Sequence, residues 1–370
     1  MAVEKLTTHA IILAGGRGTR FWPRSRTRTP KQLLNIIGSD SMLQQTVARL
    51  TPLIPAQRIW TVTNVEQAAS IRKHLPASAR KHVLAEPIGR STAAAIALAA
   101  IHIRKASGGD ALMAILPADL YIARPQKYRK IMRLALQVAR EPGRMVVLGI
   151  PPTRPETGFG YIQCSDEPIS TSPFPVFPVR AFKEKPDLQL AKKYVGSGNY
   201  HWNAGMFFWR VSTFLDALKK YLPKTSVAIE SLASSIGTKG YEKKFRSIYP
   251  RLENIAVDYA ILEAATREKG PARVFAIPAE IGWSDIGSWT AVHEQSSQAG
   301  AQNVLAGAGH MLEAEGNFIW SPTKFVAAIG VRNLVVVETP DALLICPRDR
   351  SQDVGKIVKW LEEHRRKDLL

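Results

Sequence analysis

Residues 9–32 read His-Ala-Ile-Ile-Leu-Ala-Gly-Gly-Arg-Gly-Thr-Arg-Phe-Trp-Pro-Arg-Ser-Arg-Thr-Arg-Thr-Pro-Lys-Gln. The apolar run at 9–13 predicts a short buried strand that ends at a glycine-rich turn. Gly15, Gly16 and Gly18 can adopt dihedrals closed to residues with a Cβ, so the backbone amides can approach an anion closely. Open α/β sheets place their ligands at the carboxyl ends of strands. The stretch therefore predicts an α/β fold with a phosphate-binding loop.

The basic residues of this stretch strengthen that interpretation. Arg20 and Lys31 can add full positive charges to the partial charge of the loop amides. The loop is not a P-loop, which requires Gly-Lys followed by Ser or Thr, nor a dinucleotide fingerprint, which requires a glycine where Phe21 stands. The alternative is a tight strand-to-helix turn whose arginines are only solvated, but the basic residues around Lys31 favour a nucleotide site.

The composition indicates one large domain with a smaller appendage. The chain has 370 residues, of which 45% are hydrophobic, and this length exceeds the size at which one core usually stops growing. No apolar stretch approaches the roughly 20 residues of a membrane span, and the amino terminus lacks the pattern of a secretion signal. Cys164 and Cys346 have no Cys or His neighbour at metal-ligand spacing. We therefore expect a cytoplasmic protein with no membrane partner, zinc site or disulfide framework.

The formal net charge of +19 admits nucleic acid, an anionic surface or small anionic substrates as partners. Basic residues concentrate in the glycine loop and then spread over helices and a short tail of mixed charge. Such a tail is too short for a nucleic-acid arm, and no recognised nucleic-acid module is present. We expect no nucleic-acid partner, with a basic DNA- or RNA-binding protein as the distant alternative.

Apolar runs separated by helix-length segments indicate βαβ alternation in the first part of the chain. Strands are predicted at 59–63, 111–117 and 145–150, and helices at 91–105 and 126–140. This pattern gives a parallel sheet with helices on both faces.

The pattern changes from about residue 159. Pro-rich turns interrupt further runs, which indicates an added, partly antiparallel sheet with strands at 159–164, 176–183 and 204–210 and helices at 212–220 and 258–268. The chain then becomes rich in glycine and alanine, followed by β-like runs at 325–329, 334–338 and 342–346 and a final helix at about 352–366. The predicted domains are accordingly 1–295 and 296–370.

The glycine loop resembles the signature of a known family. Gly-Gly-x-Gly-Thr-Arg-x-Trp-Pro-x-Ser-Arg at 15–26, followed by Pro-Lys-Gln at 30–32, resembles sugar-1-phosphate nucleotidylyltransferases, and its tryptophan form resembles the mannose-1-phosphate guanylyltransferase branch. The resemblance implies a Rossmann-like nucleotidyltransferase domain with a mixed, mainly parallel sheet. It also implies a small C-terminal β-rich, β-helix-like module that often mediates assembly, and hence a homodimer. The implied nucleotide contacts in the loop are Leu13, Ala14, Gly15, Gly16, Gly18 and Thr19.

Two aspartates are candidate metal ligands. Asp119 follows the predicted strand 111–117, so its carboxylate should lie at the same sheet edge as the glycine loop. Asp285 lies in Gly-Trp-Ser-Asp-Ile-Gly-Ser-Trp at 282–289, which resembles a family motif. Together the two carboxylates could hold Mg²⁺, which prefers carboxylate oxygens and keeps other positions for water and phosphate. A single aspartate at a strand end is more often a helix cap or a turn former, and Leu120 stands where the family usually has histidine.

Residues 86–92 read Glu-Pro-Ile-Gly-Arg-Ser-Thr, which resembles the family's base-recognition segment. An ionised Glu86 can accept two parallel hydrogen bonds from N1–H and N2–H₂ of guanine, which adenine cannot supply. The alternative is a helix-entry acid favoured by the dipole of the following helix. The resemblance extends the nucleotide contacts to Pro87, Arg90 and Thr92.

Two further segments resemble the family's sugar-phosphate motifs, Phe-Lys-Glu-Lys-Pro at 182–186 and Tyr-His-Trp-Asn-Ala-Gly-Met-Phe at 200–207. A carboxylate and an amide can accept from and donate to vicinal sugar hydroxyls, an ammonium group can neutralise the phosphate, and a glycine lets the backbone approach the ring. Most Glu-Lys pairs are solvated surface, but the position of this one between the other motifs supports a sugar site. The predicted contacts are Glu184, Asn203, Lys185 and Gly160.

These motifs follow the family's order along nearly the whole chain. The resemblance implies transfer of GMP from GTP to mannose 1-phosphate, giving GDP-mannose and pyrophosphate with Mg²⁺ as cofactor. The attacking phosphate oxygen is already anionic, so the reaction needs alignment and charge dispersal rather than a general base. The alternative within this class is another hexose or heptose 1-phosphate or another nucleotide, and without the isomerase domain of some relatives we expect no isomerase activity. The predicted catalytic residues are Arg20, Lys31, Asp119 and Asp285, of which the aspartates are the metal ligands.

Overall fold

A computed structural model describes residues 6–268, 270, 273–297 and 302–370. Its strands in chain order are β1 (Thr7–Leu13), β2 (Ile59–Asn64), β3 (Val83–Glu86), β4 (Ala111–Pro117), β5 (Tyr121–Ile122), β6 (Met145–Ile150), β7 (Gly160–Cys164), β8 (Phe177–Glu184), β9 (Tyr200–Arg210), β10 (Val274–Pro278), β11 (Trp283–Ser284), β12 (Val304–Leu312), β13 (Phe318–Ile329), β14 (Leu334–Thr339) and β15 (Ala342–Pro347). Nine of them form one sheet in the order β3-β2-β1-β4-β9-β6-β10-β8-β7. Because only β8 and β9 run opposite to the rest of this sheet, it is mixed and mainly parallel, as predicted.

Helices cover both faces of the large sheet. The α-helices of the described residues are α1 (Met42–Leu50), α2 (Ala68–Lys73), α3 (Ala77–Arg80), α4 (Ser91–Ser107), α5 (Pro125–Val138), α6 (Leu188–Ser197), α7 (Val211–Tyr221), α8 (Pro223–Ala233), α9 (Tyr241–Ile248), α10 (Ala264–Thr266), α11 (Trp289–Ser296) and α12 (Val354–Glu363). The side chains of a strand alternate between its faces, so Ala10 and Ile12 of β1 pack with α1, α2 and α5 while Ile11 packs with α4, α7 and α8.

Helix α4 shows why the central helix can lie close to the sheet. Every residue from Ala93 to Ile101 is buried, and most of them are alanine. Small side chains keep the helix axis near the strands, while alanine retains high helix propensity. The helix ends at Gly108, whose φ of 67° lies in the left-handed region that a glycine adopts without steric cost.

Several regions differ from the sequence-based prediction, among them strands β3 and β10, for which no strand is predicted. The segment predicted as a helix at 258–268 is a π-helical turn, Asp258–Glu263, that continues into α10. The final helix α12 is shorter than predicted because a 3-10 turn, Arg348–Asp353, precedes it. Strand β12 was not predicted, since its glycines weaken the strand pattern. A Cβ at Gly307 would lie 1.9 Å from the carbonyl oxygen of Ser321 on the neighbouring strand, which explains why glycine is present there.

The second sheet has the order β12-β13-β14-β15. With α12 it forms what we call the β-rich module, in which β12, β13 and β14 are parallel and β15 is antiparallel. Its apolar residues share one cluster with Phe21, Trp22 and Trp289 of the preceding part of the chain. The predicted boundary at 295/296 falls in the last turn of α11, and residues 298–301 lie outside the described residues. None of the described helices is long and apolar enough to span a bilayer.

Candidate active site

The glycine loop leaves the carboxyl end of β1 and is held by a glutamine side chain. Gln32 Nε2 donates to the carbonyl oxygens of Ala14 at 2.8 Å and Gly16 at 3.1 Å. Gly18 has a φ of 65°, and a Cβ at this position would lie 2.3 Å from the Cβ of Lys31. The path of the loop therefore requires glycine at this position. Gly15 and Gly16 are exposed at the surface of the sheet edge.

Lys31 joins the two predicted metal ligands. Its Nζ donates to Asp119 Oδ2 at 2.8 Å, to the Asp119 carbonyl at 3.1 Å and to the Asp285 carbonyl at 2.6 Å. The lysine is only 6% exposed, and an ammonium group with three donors satisfies all of them here. The structure thus brings together Lys31, Asp119 and Asp285 as the sequence predicts.

A two-stranded sheet explains how residues so far apart in sequence meet. Strand β5 begins two residues after Asp119, and β11 ends immediately before Asp285. The two strands pair antiparallel, with Trp283 opposite Ile122 and Ser284 opposite Tyr121. This short ladder places the two aspartates at the same end of the large sheet.

Burial and several neighbouring charges act on the pKa of the Asp285 carboxyl group. Burial raises the pKa of Asp285, and the Lys31 ammonium and the Arg20 guanidinium oppose that rise. The neighbouring Asp119 and Glu156 carboxylates raise the pKa further. A half-buried carboxyl group next to a second one and two cations is typical of a functional site.

The donor set at this point fits a hard divalent cation. Only carboxylate oxygens are offered, and Mg²⁺ is usually held by one or two carboxylates together with substrate phosphates. The described residues contain no group of three or more His, Cys, Asp or Glu side chains that could enclose a metal ion by themselves. Asp119 and Asp285 could therefore hold Mg²⁺ when it arrives with a phosphate-bearing ligand.

Arg20 lies in the 3-10 turn Thr19–Phe21 and points toward the β-rich module. Its Nη1 donates to Gln352 Oε1 at 2.6 Å. The arginine lines a cavity of about 560 Å³ together with Asp285 and Lys185. This cavity lies between the glycine loop, the segment after β11 and the start of α12.

Glu86 lies at the end of β3 and faces the glycine loop. A Cβ at Gly15 would be 3.7 Å from Glu86 Oε2. The other oxygen, Oε1, accepts from Tyr249 Oη at 2.7 Å and from the Arg90 amide at 3.4 Å. Burial raises the pKa of Glu86, although both hydrogen bonds oppose the rise. The carboxyl group is thus fixed with one oxygen directed toward the loop.

The other predicted base contacts have protein partners of their own. The Arg90 guanidinium donates to the carbonyl oxygen of Pro250, and Thr92 Oγ1 accepts from the Val257 amide at 2.8 Å. Pro87 is half-buried beside Glu86. Arg90 and Thr92 therefore connect the segment 86–92 to the segment 250–257. Their contact with a nucleotide stays a prediction.

The predicted sugar residues form a second acidic cluster. Asn203 Nδ2 donates to Asp258 Oδ1 at 2.8 Å, and Asn203 Oδ1 accepts from the Gly205 amide at 3.0 Å. A Cβ at Gly160 would lie 2.2 Å from Glu184 Oε2 and 3.3 Å from the Asn203 Cβ. Gly160, Glu184 and Asn203 are therefore in direct contact, and glycine is the residue that leaves room for the carboxylate.

The Glu184 carboxyl group of this cluster has a raised pKa. Burial, then the charge of Asp258, raises the pKa of Glu184 to about 7, while Lys185 lowers it. The Glu184 Oε2 atom is buried without a hydrogen-bond partner among the described residues. Lys185 Nζ lies 3.9 Å from the other oxygen, Oε1. An unsatisfied buried carboxylate oxygen costs free energy unless a ligand donates to it.

Comparison with protein families identifies the family of this chain. The nucleotidyl transferase family matches residues 9–302, which include the glycine loop, both aspartates and the acidic cluster. The chain belongs to the nucleotidyl transferase family. A β-helix domain of the mannose-phosphate isomerase/GMP-like type matches residues 310–361. The two matches confirm the predicted nucleotidyltransferase domain and its β-helix-like module.

Several relatives of this nucleotidyltransferase carry informative names. Mannose-1-phosphate guanylyltransferase of Escherichia coli is 38% identical over 362 residues, covering 96% of this chain and 74% of that protein. The alginate biosynthesis protein AlgA of Pseudomonas aeruginosa is 36% identical, covering 97% of this chain and 73% of that one. A crystal structure of mannose-1-phosphate geranyltransferase from Thermus thermophilus has a TM-score of 0.85 at 32% identity, covering 96% of this chain and 100% of that chain. The resemblance to mannose-1-phosphate guanylyltransferases is confirmed.

The candidate site also contains residues that the sequence-based prediction missed. Asp258 holds Asn203, Tyr249 holds Glu86, and Gln352 holds Arg20. Asp258 begins the π-helical turn, an irregularity that is frequent at functional sites. Tyr249 and Gln352 carry no signal in the sequence, because each acts through a contact between distant segments.

Proposed function

We propose that this nucleotidyltransferase transfers GMP from GTP to mannose 1-phosphate and releases GDP-mannose and pyrophosphate. The observation that carries the proposal is the position of Lys31, whose ammonium group bonds both aspartate segments next to the glycine loop. Such a cluster suits a metal-bound triphosphate. The name of the E. coli relative supports guanine and mannose as the base and the sugar.

The proposed reaction requires charge dispersal more than proton transfer. A phosphate oxygen of the sugar phosphate forms a bond to the α-phosphorus as the bond from that phosphorus to the β-bridging oxygen breaks, and pyrophosphate leaves with the electron pair. The attacking oxygen is anionic, so no side chain has to remove a proton. Lys31, Arg20 and the loop amides lower the repulsion between the two anionic substrates. When bound at Asp119 and Asp285, Mg²⁺ would add positive charge at the triphosphate.

A pyrophosphate-release screen tests the substrates directly. Several nucleoside triphosphates are combined with several hexose 1-phosphates, with and without Mg²⁺. We expect the fastest release with GTP and mannose 1-phosphate and none without a divalent cation. A faster reaction with another base or sugar would favour the alternative nucleotidylyltransferase, and tight, salt-dependent binding of oligonucleotides without release would revive the nucleic-acid alternative. A reaction that consumes GTP is consistent with a cytoplasmic location.

Glu86 is the proposed guanine-recognition residue, so Glu86→Gln should relax base selection. The variant replaces an acceptor with an amide whose NH₂ group opposes the donors of guanine. We expect kcat/KM for GTP to fall about 10- to 100-fold, with little change for ATP. The measurement is pyrophosphate release with each nucleotide. Glu253→Gln is the matched control, because Glu253 pairs with Thr225 away from the loop, and an unchanged GTP-to-ATP ratio in Glu86→Gln would contradict the assignment.

The proposed role of Glu184 predicts a pH dependence. If the ionised carboxylate accepts hydrogen bonds from sugar hydroxyls, the apparent affinity falls as Glu184 is protonated below its pKa of about 7. The raised pKa of an acid means that the neutral form dominates at lower pH, so kcat/KM for mannose 1-phosphate should rise about tenfold from about pH 6 to about pH 8. The measurement is a pH profile at saturating GTP.

Glu184→Gln is the control for this profile. The substrate phosphate also titrates, with a second pKa of about 6, and the variant reports that contribution alone. We expect a lower kcat/KM and a flatter profile in the variant. Identical pH profiles in both proteins would show that Glu184 does not control sugar binding.

We also propose a homodimer through the β-rich module, with a second copy of this chain as the partner. Large apolar side chains are exposed on this module, including Phe325 at 70% and Ile345 at 61%. Ile329 and Leu312 are exposed as well and lie opposite each other on β13 and β12. Several large apolar side chains exposed on one module are typical of an interaction surface. In a two-fold dimer, the same residues of both copies would lie in the interface.

The double variant Phe325→Glu, Ile345→Lys tests the dimer. We expect it to raise the dimer dissociation constant at least about tenfold, since it removes apolar area that a second copy would bury. The measurement is light scattering after size-exclusion chromatography over a range of concentrations. Val227→Glu is the matched control, because Val227 is equally exposed but lies on α8. A double variant with the wild-type mass at every concentration would contradict the proposal.

A further inference from the structure

The β-rich module contacts the end of the glycine loop through the residues around the start of α12. A Cβ at Gly355 would lie 3.6 Å from Thr19 Oγ1 and 3.9 Å from Arg20 Cγ, so the first turn of α12 packs directly on the loop. In the turn before it, Gln352 Oε1 accepts from Arg20 Nη1 at 2.6 Å. Arg20, which we assign to nucleotide chemistry, belongs to the nucleotidyltransferase domain. Its guanidinium group is nevertheless held by a residue of the β-rich module.

The acceptor of this hydrogen bond, Gln352 Oε1, is a neutral amide oxygen and not a carboxylate. Arg20 Nη1 and Asp285 Oδ2 lie 3.5 Å and 2.9 Å from a Cβ position at Gly287, so the guanidinium and the carboxylate flank the same glycine. The positive charge of Arg20 lowers the pKa of Asp285 against the effect of burial. The described residues nevertheless include no ion pair between the two side chains. A neutral amide oxygen can fix the direction of a guanidinium without cancelling its charge, so Arg20 remains available to a phosphate.

We infer that Gln352 is a positioning residue, which holds the Arg20 guanidinium at the edge of the cavity where the triphosphate would bind. Arg20 and Gln352 both line that cavity with Asp285. An exposed arginine has many rotamers, and fixing one of them before the substrate arrives lowers the entropic cost of reaching the transition state. The inference gives the β-rich module a part in the reaction, and it rests on the proposed function because it assumes that Arg20 contacts phosphate.

A double-mutant cycle separates positioning from a merely structural effect. The variants are Gln352→Leu, Arg20→Ala and their combination, each assayed for pyrophosphate release from GTP and mannose 1-phosphate. Asp341→Ala is the matched control. Asp341 of the same module accepts a hydrogen bond from Arg26 Nη2 at 2.7 Å, so its substitution removes a comparable contact between the module and the rest of the chain. Thermal unfolding of each variant verifies that it is folded.

We expect Gln352→Leu to lower kcat/KM for GTP about 10- to 100-fold, and Asp341→Ala to change it less than about twofold. In the Arg20→Ala background, Gln352→Leu should have no further effect, because its partner is already absent. Two results would overturn the role of Gln352 and leave the proposed function intact. One is a loss of activity in Arg20→Ala while Gln352→Leu stays fully active. The other is an equal loss from Gln352→Leu in the wild-type and Arg20→Ala backgrounds. A fully active Arg20→Ala would instead overturn the role of Arg20 in the proposed function.

Discussion

Asp285→Asn is expected to lower turnover by on the order of 10²–10³ while the protein stays folded. The substitution keeps the shape of the side chain but removes the charge that would hold Mg²⁺ against the triphosphate. Burial raises the pKa of Asp285, so the folded protein bears a cost for ionising this group at neutral pH. An asparagine bears no such cost, and we expect the thermal midpoint of the variant to equal or exceed that of the wild type.

The combination of lost activity and retained stability distinguishes a functional carboxylate from a structural one. The measurements are pyrophosphate release at saturating substrates and thermal unfolding. Asp349→Asn is the matched control, because Asp349 lines the same cavity from the β-rich module but has no assigned role. Near-normal turnover in Asp285→Asn, or a variant that unfolds far below the wild type, would reject the assignment.

Lys31→Met should have the second large effect, and here activity and stability should both fall. The ammonium group is buried and makes three hydrogen bonds to the segments of Asp119 and Asp285. Its loss leaves the Asp119 carboxylate and the Asp285 carbonyl without their shared donor, so we expect a decrease in turnover on the order of 10²–10³. The free energy of unfolding should also decrease, by about 1–3 kcal/mol, because charged hydrogen bonds lose their donor.

Lys127→Met is the control for this variant. Lys127 pairs with Glu280 at 3.5 Å on the surface, and exposed pairs of this kind contribute little to stability. We expect unchanged turnover and a change in unfolding free energy within about 0.5 kcal/mol. Pyrophosphate release and urea unfolding measure the two quantities. If Lys31→Met behaved like Lys127→Met in both assays, Lys31 would have neither of its assigned roles.

Much of the large sheet could be predicted because its strands are buried on both faces. Strands β4 and β6 have the predicted bounds, since each is an unbroken apolar run with polar or glycine-rich flanks. Strand β12 could not be predicted in this way. Its glycines are present because the neighbouring strand passes too close for a Cβ at Gly307 and Gly309, and that neighbour is identified only by the tertiary structure.

Some features of the candidate site could likewise be predicted from the sequence, and others could not. Asp119 could be placed from its position after a buried strand, but the approach of Asp285 depends on two strands of two residues each, which have no detectable periodicity. Asp258, Tyr249 and Gln352 were missed because each holds a predicted site residue from a distant part of the chain. The sequence thus supplies the groups that would touch substrate, and the tertiary structure supplies the groups that orient them.

We propose that the glycine loop, Lys31 and the two aspartates form one site for a metal-bound triphosphate. A crystal structure of the protein with GTP and Mg²⁺ tests it most directly. We expect the triphosphate on the loop amides, with Mg²⁺ bound to carboxylate oxygens of Asp119 and Asp285 at about 2.0–2.1 Å and guanine next to Glu86. A nucleotide bound elsewhere, or a metal ion that contacts neither aspartate, would contradict it.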